Sequence, residues 1–124
     1  MAKTIKVTAD NKISIVNVRF NDYRAIQAAI GGMIEPVKTQ RMWDYFHRPM
    51  LMLVDEEGHI KGLTLNRTGS WLYGADKHGH SIAGDFILAV PTHEDFTAPP
   101  AADLEFIKAR LIQDFDLVEV TGYE

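Results

Sequence analysis

Hydrophobic and polar positions alternate over the first 19 residues of the chain. Ile5 and Val7 alternate with lysine and threonine, and Ile13 and Ile15 resume the alternation after an Asp-Asn pair at positions 10 and 11. Apolar residues at every second position are typical of a half-buried strand, and Asp and Asn favour turns because they hydrogen-bond their own backbone. The pattern predicts an N-terminal β-hairpin.

Two segments carry apolar residues at helical spacing. The first predicted helix covers residues 22–30, with Asn21 as its cap and a pair of glycines at its end. The second is a C-terminal helix over residues 101–116 with an apolar stripe: Leu104, Ile107, Leu111 and Phe115. Residues 38–49 are compatible with a loop or a short helix. Residues 66–74 are compatible with a short helix or a structured loop, in which Trp71 and its two successors pack inward.

Two apolar runs, at residues 50–54 and 86–90, have the length of strands and are apolar at nearly every position. Such runs are typical of central strands buried on both faces. A segment that contains Pro36 belongs at a sheet edge, because proline lacks a backbone donor. Three further extended segments are predicted: residues 33–37, which include Pro36, residues 60–65, which follow an acidic turn, and residues 117–120.

Strands and helices are mixed along the chain without a regular β-α-β alternation. This order predicts an α+β fold, a mostly antiparallel sheet with two helices packed on one face. A chain of 124 residues, 46% of them hydrophobic, is large enough to form a core of its own. We therefore expect a single domain over residues 1–124.

Charge and composition exclude several functional classes. Thirteen Lys and Arg against 17 Asp and Glu give a net charge of -4, which disfavours general nucleic-acid binding. The absence of cysteine excludes disulfides, thiolate metal centres and a cysteine nucleophile. The apolar runs are far shorter than the ~18 residues that span a bilayer, and the first ten residues lack the apolar region of a signal peptide. We expect a cytoplasmic protein with no membrane partner.

Three blocks in the first three quarters of the chain point to a family. They read IGGMIE from Ile30, VDEEGHIKGLTLNR from Val54 and GDFILAV from Gly84. In this combination the chain resembles the domain-of-unknown-function 3846 family over about residues 3–91. The resemblance implies a small accessory protein of bacteria, phages or mobile elements that acts in the bacterial cytoplasm. It implies no catalytic residue and no cofactor.

Asn66 and Arg67 form the first candidate site. Arginine presents a planar fork to phosphate or carboxylate, and asparagine both donates and accepts hydrogen bonds. The structural alternative is that Asn66 caps a following helix while Arg67 pairs with Glu35 or Asp55. Both interpretations stay open from the sequence.

The stretch from Arg41 to Arg48 is the strongest candidate for binding a partner. It combines arginine, methionine and aromatic residues, including Trp43, and these types are enriched in the cores of protein interfaces. The same composition can also stack on nucleic-acid bases. The alternative is that Trp43 and Phe46 form the buried face of a short helix.

Histidines raise the question of a metal. His78 and His80 would share one face of a strand and could chelate an ion, but the polar, glycine-containing surroundings predict a solvated loop. They are weak candidates, and we predict no metal and no other cofactor. The chain also lacks both glycine-rich nucleotide-binding motifs and a serine in a nucleophile context.

Three functions remain, in this order. The first is a non-enzymatic accessory protein that binds and modulates a host macromolecule, with a host protein as the expected partner. The second is a protein that binds a small anionic ligand such as a nucleotide, through Asn66, Arg67, Arg41 and Arg48. The third is a hydrolase that pairs His78 or His80 with Asp76 or Asp85. The edge strand at Pro36 and the apolar segment around Trp43 are also compatible with a homodimer.

Overall fold

The N-terminal hairpin forms as the alternation predicts. In the computed structural model, which describes residues 2–120, β1 (Ala2–Val7) and β2 (Lys12–Val18) pair antiparallel with Ile5 opposite Ile15. Asn11 adopts the left-handed conformation in the turn, with a φ of 66°. Asparagine tolerates this conformation better than most residues, which explains its place there.

The rest of the described chain mixes short strands and helices. In chain order these are α1 (Tyr23–Ile30), β3 (Ile34–Val37), α2 (Gln40–Phe46), β4 (Leu51–Asp55), α3 (Arg67–Tyr73), α4 (Ala75–His78), β5 (Phe86–Pro91), β6 (Phe96–Thr97), a 3₁₀ turn (Ala101–Asp103), α5 (Leu104–Phe115) and β7 (Val118–Glu119). The strands form one sheet in the order β3-β4-β5-β1-β2-β7, and β6 pairs with β5 outside this row. Among the described strand pairs, β2 with β7 is parallel and the others are antiparallel. The predicted α+β class and mostly antiparallel sheet are confirmed.

Strand β4 is buried at all five positions, as its apolar run predicts. Met52 and Val54 point into one core cluster, while Leu51 and Leu53 point into a second cluster on the other side of the sheet. Successive side chains of a strand face opposite sides, so the sheet needs a covering layer on both. Strand β3, which contains Pro36, lies at the sheet edge as predicted.

The prediction of two helices on one face needs correction, because both faces of the sheet are covered. Within residues 2–120 there are five α-helices, four of them at least seven residues long. Ile26 and Ile30 of α1 pack in the cluster that contains Leu53. Residues of α2, α3 and α5 pack in the cluster that contains Met52, namely Met42, Leu72, Leu104, Ile107 and Leu111. We call the cluster that contains Met52 the main core, and helix α5 completes it.

The cap of α1 also differs from the prediction. Asp22, and not Asn21, is the N-cap, because its carboxylate accepts a hydrogen bond from the backbone N–H of Arg24 at 3.0 Å. Gly31 ends the helix with a φ of 88°, and its N–H donates to the Gln27 carbonyl. A left-handed glycine at this position is a common helix end, as the paired glycines predicted.

The predicted strand over residues 60–65 is wrong. Turns replace it, Ile60 and Leu65 are exposed, and Leu65 makes a single bridge to Ala83. The cause is the fully buried carboxylate of Asp55, which accepts a hydrogen bond from the Lys61 ammonium at 2.7 Å. A buried carboxylate needs such a partner, so the segment folds back over Asp55 instead of extending.

Candidate functional site

Helix α2 is fixed beside α3 by one threonine. The Thr39 hydroxyl accepts from the Met42 N–H at 3.3 Å and donates to the Leu72 carbonyl at 3.1 Å. Met42 then lies in the core, while Arg41 and Tyr45, one turn apart, share a side of α2. Both of these side chains contact Trp71 of α3.

Asn66 positions α3 from inside the protein. Its amide oxygen accepts from the Gly69 N–H at 2.9 Å, and its amide nitrogen donates to the carbonyls of Val7 at 3.2 Å and Gly84 at 3.0 Å. The residue is fully buried. The structure therefore gives Asn66 the capping role, and its side chain is not accessible to a ligand.

Arg67 is exposed and donates a hydrogen bond to the Phe115 carbonyl at the end of α5. A cation is favourable there, because the carbonyls at a helix C-terminus carry partial negative charge. The alternative that Arg67 pairs with Glu35 or Asp55 is wrong for Asp55, whose partner is Lys61. No ion pair of Arg67 with Glu35 forms within residues 2–120.

The candidate site is a surface shared by α2, α3 and α5, which we call the aromatic–arginine face. Two large apolar side chains lie exposed on it: Trp71 at 46% and Phe106 at 72%. Two hollows of about 580 and 300 Å³ adjoin it, and Tyr45 lines both. We define the face by six residues: Arg41, Tyr45, Arg48, Trp71, Phe106 and Arg110.

Aromatic rings hold the centre of this face together. The Tyr45 ring centroid lies 5.9 Å from Trp71 and 6.0 Å from Phe115, and Trp71 lies 5.6 Å from Phe115. Edge-on and tilted contacts at these separations are favourable for aromatic pairs. Trp71 is thus held in place by its neighbours although almost half of it is exposed.

The arginines of the face are also held by neighbours. The guanidinium of Arg41 pairs with Asp76 at 3.0 Å and lies 5.0 Å from the Trp71 ring centroid. Arg110 lies 3.9 Å over the Tyr45 ring and donates to the Tyr45 carbonyl. Cations over aromatic faces are stabilising, and planar guanidinium groups suit this stacking. Hydrogen bonding to Arg41 lowers the pKa of the Asp76 carboxyl.

The four residues predicted to hold an anionic ligand are not gathered in one pocket. Arg41 lines the larger hollow and Arg48 lines the smaller, where it pairs with Asp103 at 2.6 Å. Neither hollow includes Asn66 or Arg67. Each arginine of the face already has a carboxylate or carbonyl partner, which weakens its attraction for a free anion.

Trp43 has a structural role. Its indole N–H donates to the Met50 carbonyl at 3.1 Å, and Trp43 and Phe46 pack half-buried against the main core. The alternative that Trp43 and Phe46 form the buried face of a short helix is confirmed for the helix but not for the face, since Met42 and Tyr45 are its buried residues.

Of the three residues predicted to pack inward, Leu72 is fully buried and Tyr73 is partly buried, whereas Trp71 is exposed. Adjacent helical residues lie about 100° apart, so a helical projection could have placed Trp71 outside.

The histidines and the proposed acids do not meet. His78 and His80 flank the Tyr73 ring at centroid distances of 4.9 and 5.0 Å. Asp76 pairs with Arg41, while Asp85 accepts from the Ala9 N–H at 3.0 Å and pairs with Lys6 at 3.7 Å. Over residues 2–120, no group of three or more His, Asp or Glu side chains is placed to hold a metal ion.

One residue of the face makes stability depend on pH. Burial and the hydrogen bond that its hydroxyl donates to Asp114 at 2.7 Å raise the pKa of Tyr45 above its ordinary value of about 10. The unfolded chain then loses this proton first, so the stabilisation is complete below about pH 10 and is lost as the pH rises further. We expect urea unfolding between about pH 9 and 11 to show a steeper fall in stability for the wild type than for Tyr45→Phe. Equal slopes would contradict this assignment.

The fold and the face together define an α+β domain that presents ordered aromatic and arginine side chains over a filled core. Residues 2–112 match the model of the family described as "Domain of unknown function (DUF3846)", so the chain belongs to that family. The match extends beyond residue 91 and includes most of α5. Comparison with curated proteins and with solved structures gave no match. Across residues 2–120, none of the helices combines the length and the apolar character needed to cross a membrane.

Proposed function

We propose that this chain is a non-enzymatic accessory protein that binds and modulates a host protein through the aromatic–arginine face. The observation that carries the proposal is the exposed Trp71, held by Arg41, Tyr45 and Phe115 at the junction of three helices. In line with the family resemblance, we place the protein in the bacterial cytoplasm, encoded by a phage or a mobile element.

The composition of the face favours a protein partner. Residues that dominate binding energy in protein interfaces are mostly Trp, Tyr and Arg, clustered in packed surroundings. The face contains all three types, and Phe106 adds an apolar side chain that is mostly exposed. Trp71 and Phe106 each line one of the two hollows that Tyr45 also lines.

The charges on the face also favour a protein partner over nucleic acid. Arg41 and Arg48 are paired with Asp76 and Asp103, so the face has no excess of free positive charge at these points. Binding to nucleic acid depends on cations that neutralise phosphates, whereas protein interfaces combine an apolar centre with a polar rim. Trp71 supplies such a centre, and the ion pairs supply such a rim.

The Trp71 side chain is already ordered in the free protein, so a partner can bind it without a large loss of conformational entropy. Immobilising a flexible side chain on binding costs about 0.5–1.5 kcal/mol. Trp71 already contacts two rings and one guanidinium. It therefore loses little freedom when a partner covers it.

The test is capture of partners on the tagged protein in a bacterial extract, followed by calorimetry with the purified partner. Trp71→Ala combined with Phe106→Ala should weaken binding at least about 30-fold, since each interface anchor contributes on the order of 2 kcal/mol. The matched control is Tyr23→Ala, which removes an aromatic residue that is 57% exposed on α1, across the sheet from this face.

Circular dichroism establishes that each variant is folded. Equal affinity of the double variant and the Tyr23→Ala control would remove the aromatic–arginine face from the proposal. A turnover activity that the double variant retains would contradict the non-enzymatic assignment.

A further inference from the structure

A groove separates α1 from the N-terminal hairpin, on the opposite side of the sheet from the aromatic–arginine face. Helix α1 buries Ile26 and Ile30 against the sheet and turns three alanines toward the hairpin: Ala25, Ala28 and Ala29. These short side chains leave a space of about 480 Å³ over β1 and β2. Small-molecule sites usually measure about 300–1,000 Å³.

The floor of the groove is polar where a helix-covered sheet face is ordinarily apolar. Lys6 and Ser14 are opposite each other in the register of β1 and β2, and both line the groove. Ser14 is only 7% exposed, and within residues 2–120 its hydroxyl has no hydrogen-bond partner. Among the described residues the fully buried side-chain oxygen without a partner is that of Thr68, whereas the Ser14 hydroxyl keeps access to the groove. There it can donate to, or accept from, a water or a ligand.

Positive charge is concentrated along the same groove, although the whole chain carries a net charge of -4. Among the described residues that line it, Lys6, Lys12 and Arg19 are cationic and Asp22, which caps α1, is the one acid. Lys6 pairs with Asp85 at 3.7 Å and Lys12 pairs with Asp10 at 3.4 Å, while Arg19 has no ion pair in the described part of the chain. Cations that line a cleft raise the local concentration of anions.

From these observations we infer that the groove binds a small amphipathic anion, with a flat apolar body and one carboxylate, sulfonate or phosphate. The body lies between the alanines of α1 and Val16 of β2. The anionic group is held by the Lys6 ammonium and the Ser14 hydroxyl. The site shares none of its residues with the aromatic–arginine face and does not depend on the proposed function.

The probe is anilinonaphthalene sulfonate, a flat apolar anion whose fluorescence rises in an apolar environment. We expect one saturable site per chain, and at least about tenfold weaker binding of phenylnaphthylamine, which has a similar body without the sulfonate. Ala28→Leu fills the groove and Lys6→Met removes a cation, so each should weaken binding of the sulfonate at least about tenfold. Matched controls on exposed residues outside the groove, Ala109→Leu and Lys77→Met, should leave it unchanged.

Three results would overturn the inference. They are the absence of saturable binding, equal affinity of the neutral and anionic dyes, and binding that is unaffected by Ala28→Leu. If Lys6→Met does not fold, the more exposed Lys12→Met replaces it. The Trp71→Ala, Phe106→Ala double variant should bind the dye like the wild type, which separates this test from that of the aromatic–arginine face.

Discussion

Replacing Asn66 with alanine is expected to lower the free energy of unfolding by about 4 kcal/mol. Three buried backbone groups lose their partner at once: the N–H of Gly69 and the carbonyls of Val7 and Gly84. A buried polar group left unpaired costs about 1–3 kcal/mol, and loss of an N-cap costs about 1 kcal/mol. Asn66 joins three elements, so the effect is larger than that of a surface cap.

Urea denaturation measures this effect, with Asp22→Ala as the control. Asp22 caps α1 through one exposed hydrogen bond to the Arg24 N–H, so its loss should cost only about 1 kcal/mol. The difference between the losses of unfolding free energy in the two variants then measures the cost of depriving the Val7 and Gly84 carbonyls of Asn66. Equal losses would mean that these carbonyls find other partners when Asn66 is removed.

The substitution Gly32→Ala is expected to cost about 3 kcal/mol, because no space exists for a methyl group. A Cβ atom on Gly32 would lie 2.3 Å from one carboxylate oxygen of Asp55 and 2.6 Å from the other. That carboxylate is fully buried and is held by the Lys61 ammonium and the Glu57 N–H. The short Asp55 side chain has no flexible end that can yield, so either its ion pair or the backbone must shift.

A double-mutant cycle tests the cause. With Asp55→Ala in the background, Gly32→Ala should cost less than about 1 kcal/mol, since the colliding carboxylate is gone. Gly31→Ala is the neighbouring control: its Cβ would meet open space, and its left-handed φ of 88° predicts a loss of only about 1 kcal/mol. Additive costs of Gly32→Ala and Asp55→Ala would contradict the collision.

The sequence predicted individual elements correctly where the pattern involved residues close together in the chain. The alternation around Asn11 predicted the hairpin, and the apolar runs predicted β4 and β5 as strands buried on both sides. The same runs imply helices on both faces of the sheet, yet the pattern alone does not say which helix covers which face. For this reason the expected arrangement of two helices on one face was wrong.

Residues 60–65 show how a tertiary contact overrides a local pattern. Leu63 and Leu65 have strand-like spacing, but the Lys61 ammonium pairs with the buried Asp55 carboxylate and the segment turns. The position of a partner for a buried charge depends on the packed structure, not on apolar spacing. A sequence pattern therefore cannot show whether the apolar spacing or the Asp55–Lys61 ion pair determines the conformation of this segment.

By itself the sequence determined the fold class, the hairpin, the central strands, the exclusion of cysteine chemistry and the family resemblance. Only the tertiary structure decided how α2, α3 and α5 bring Tyr45, Trp71 and Phe115 together, and where the alanine-lined groove lies. Periodicity encodes which side of an element is buried, because that depends on neighbours along the chain. It does not encode which elements meet, since contacts such as Tyr45 with Asp114 join residues 69 positions apart.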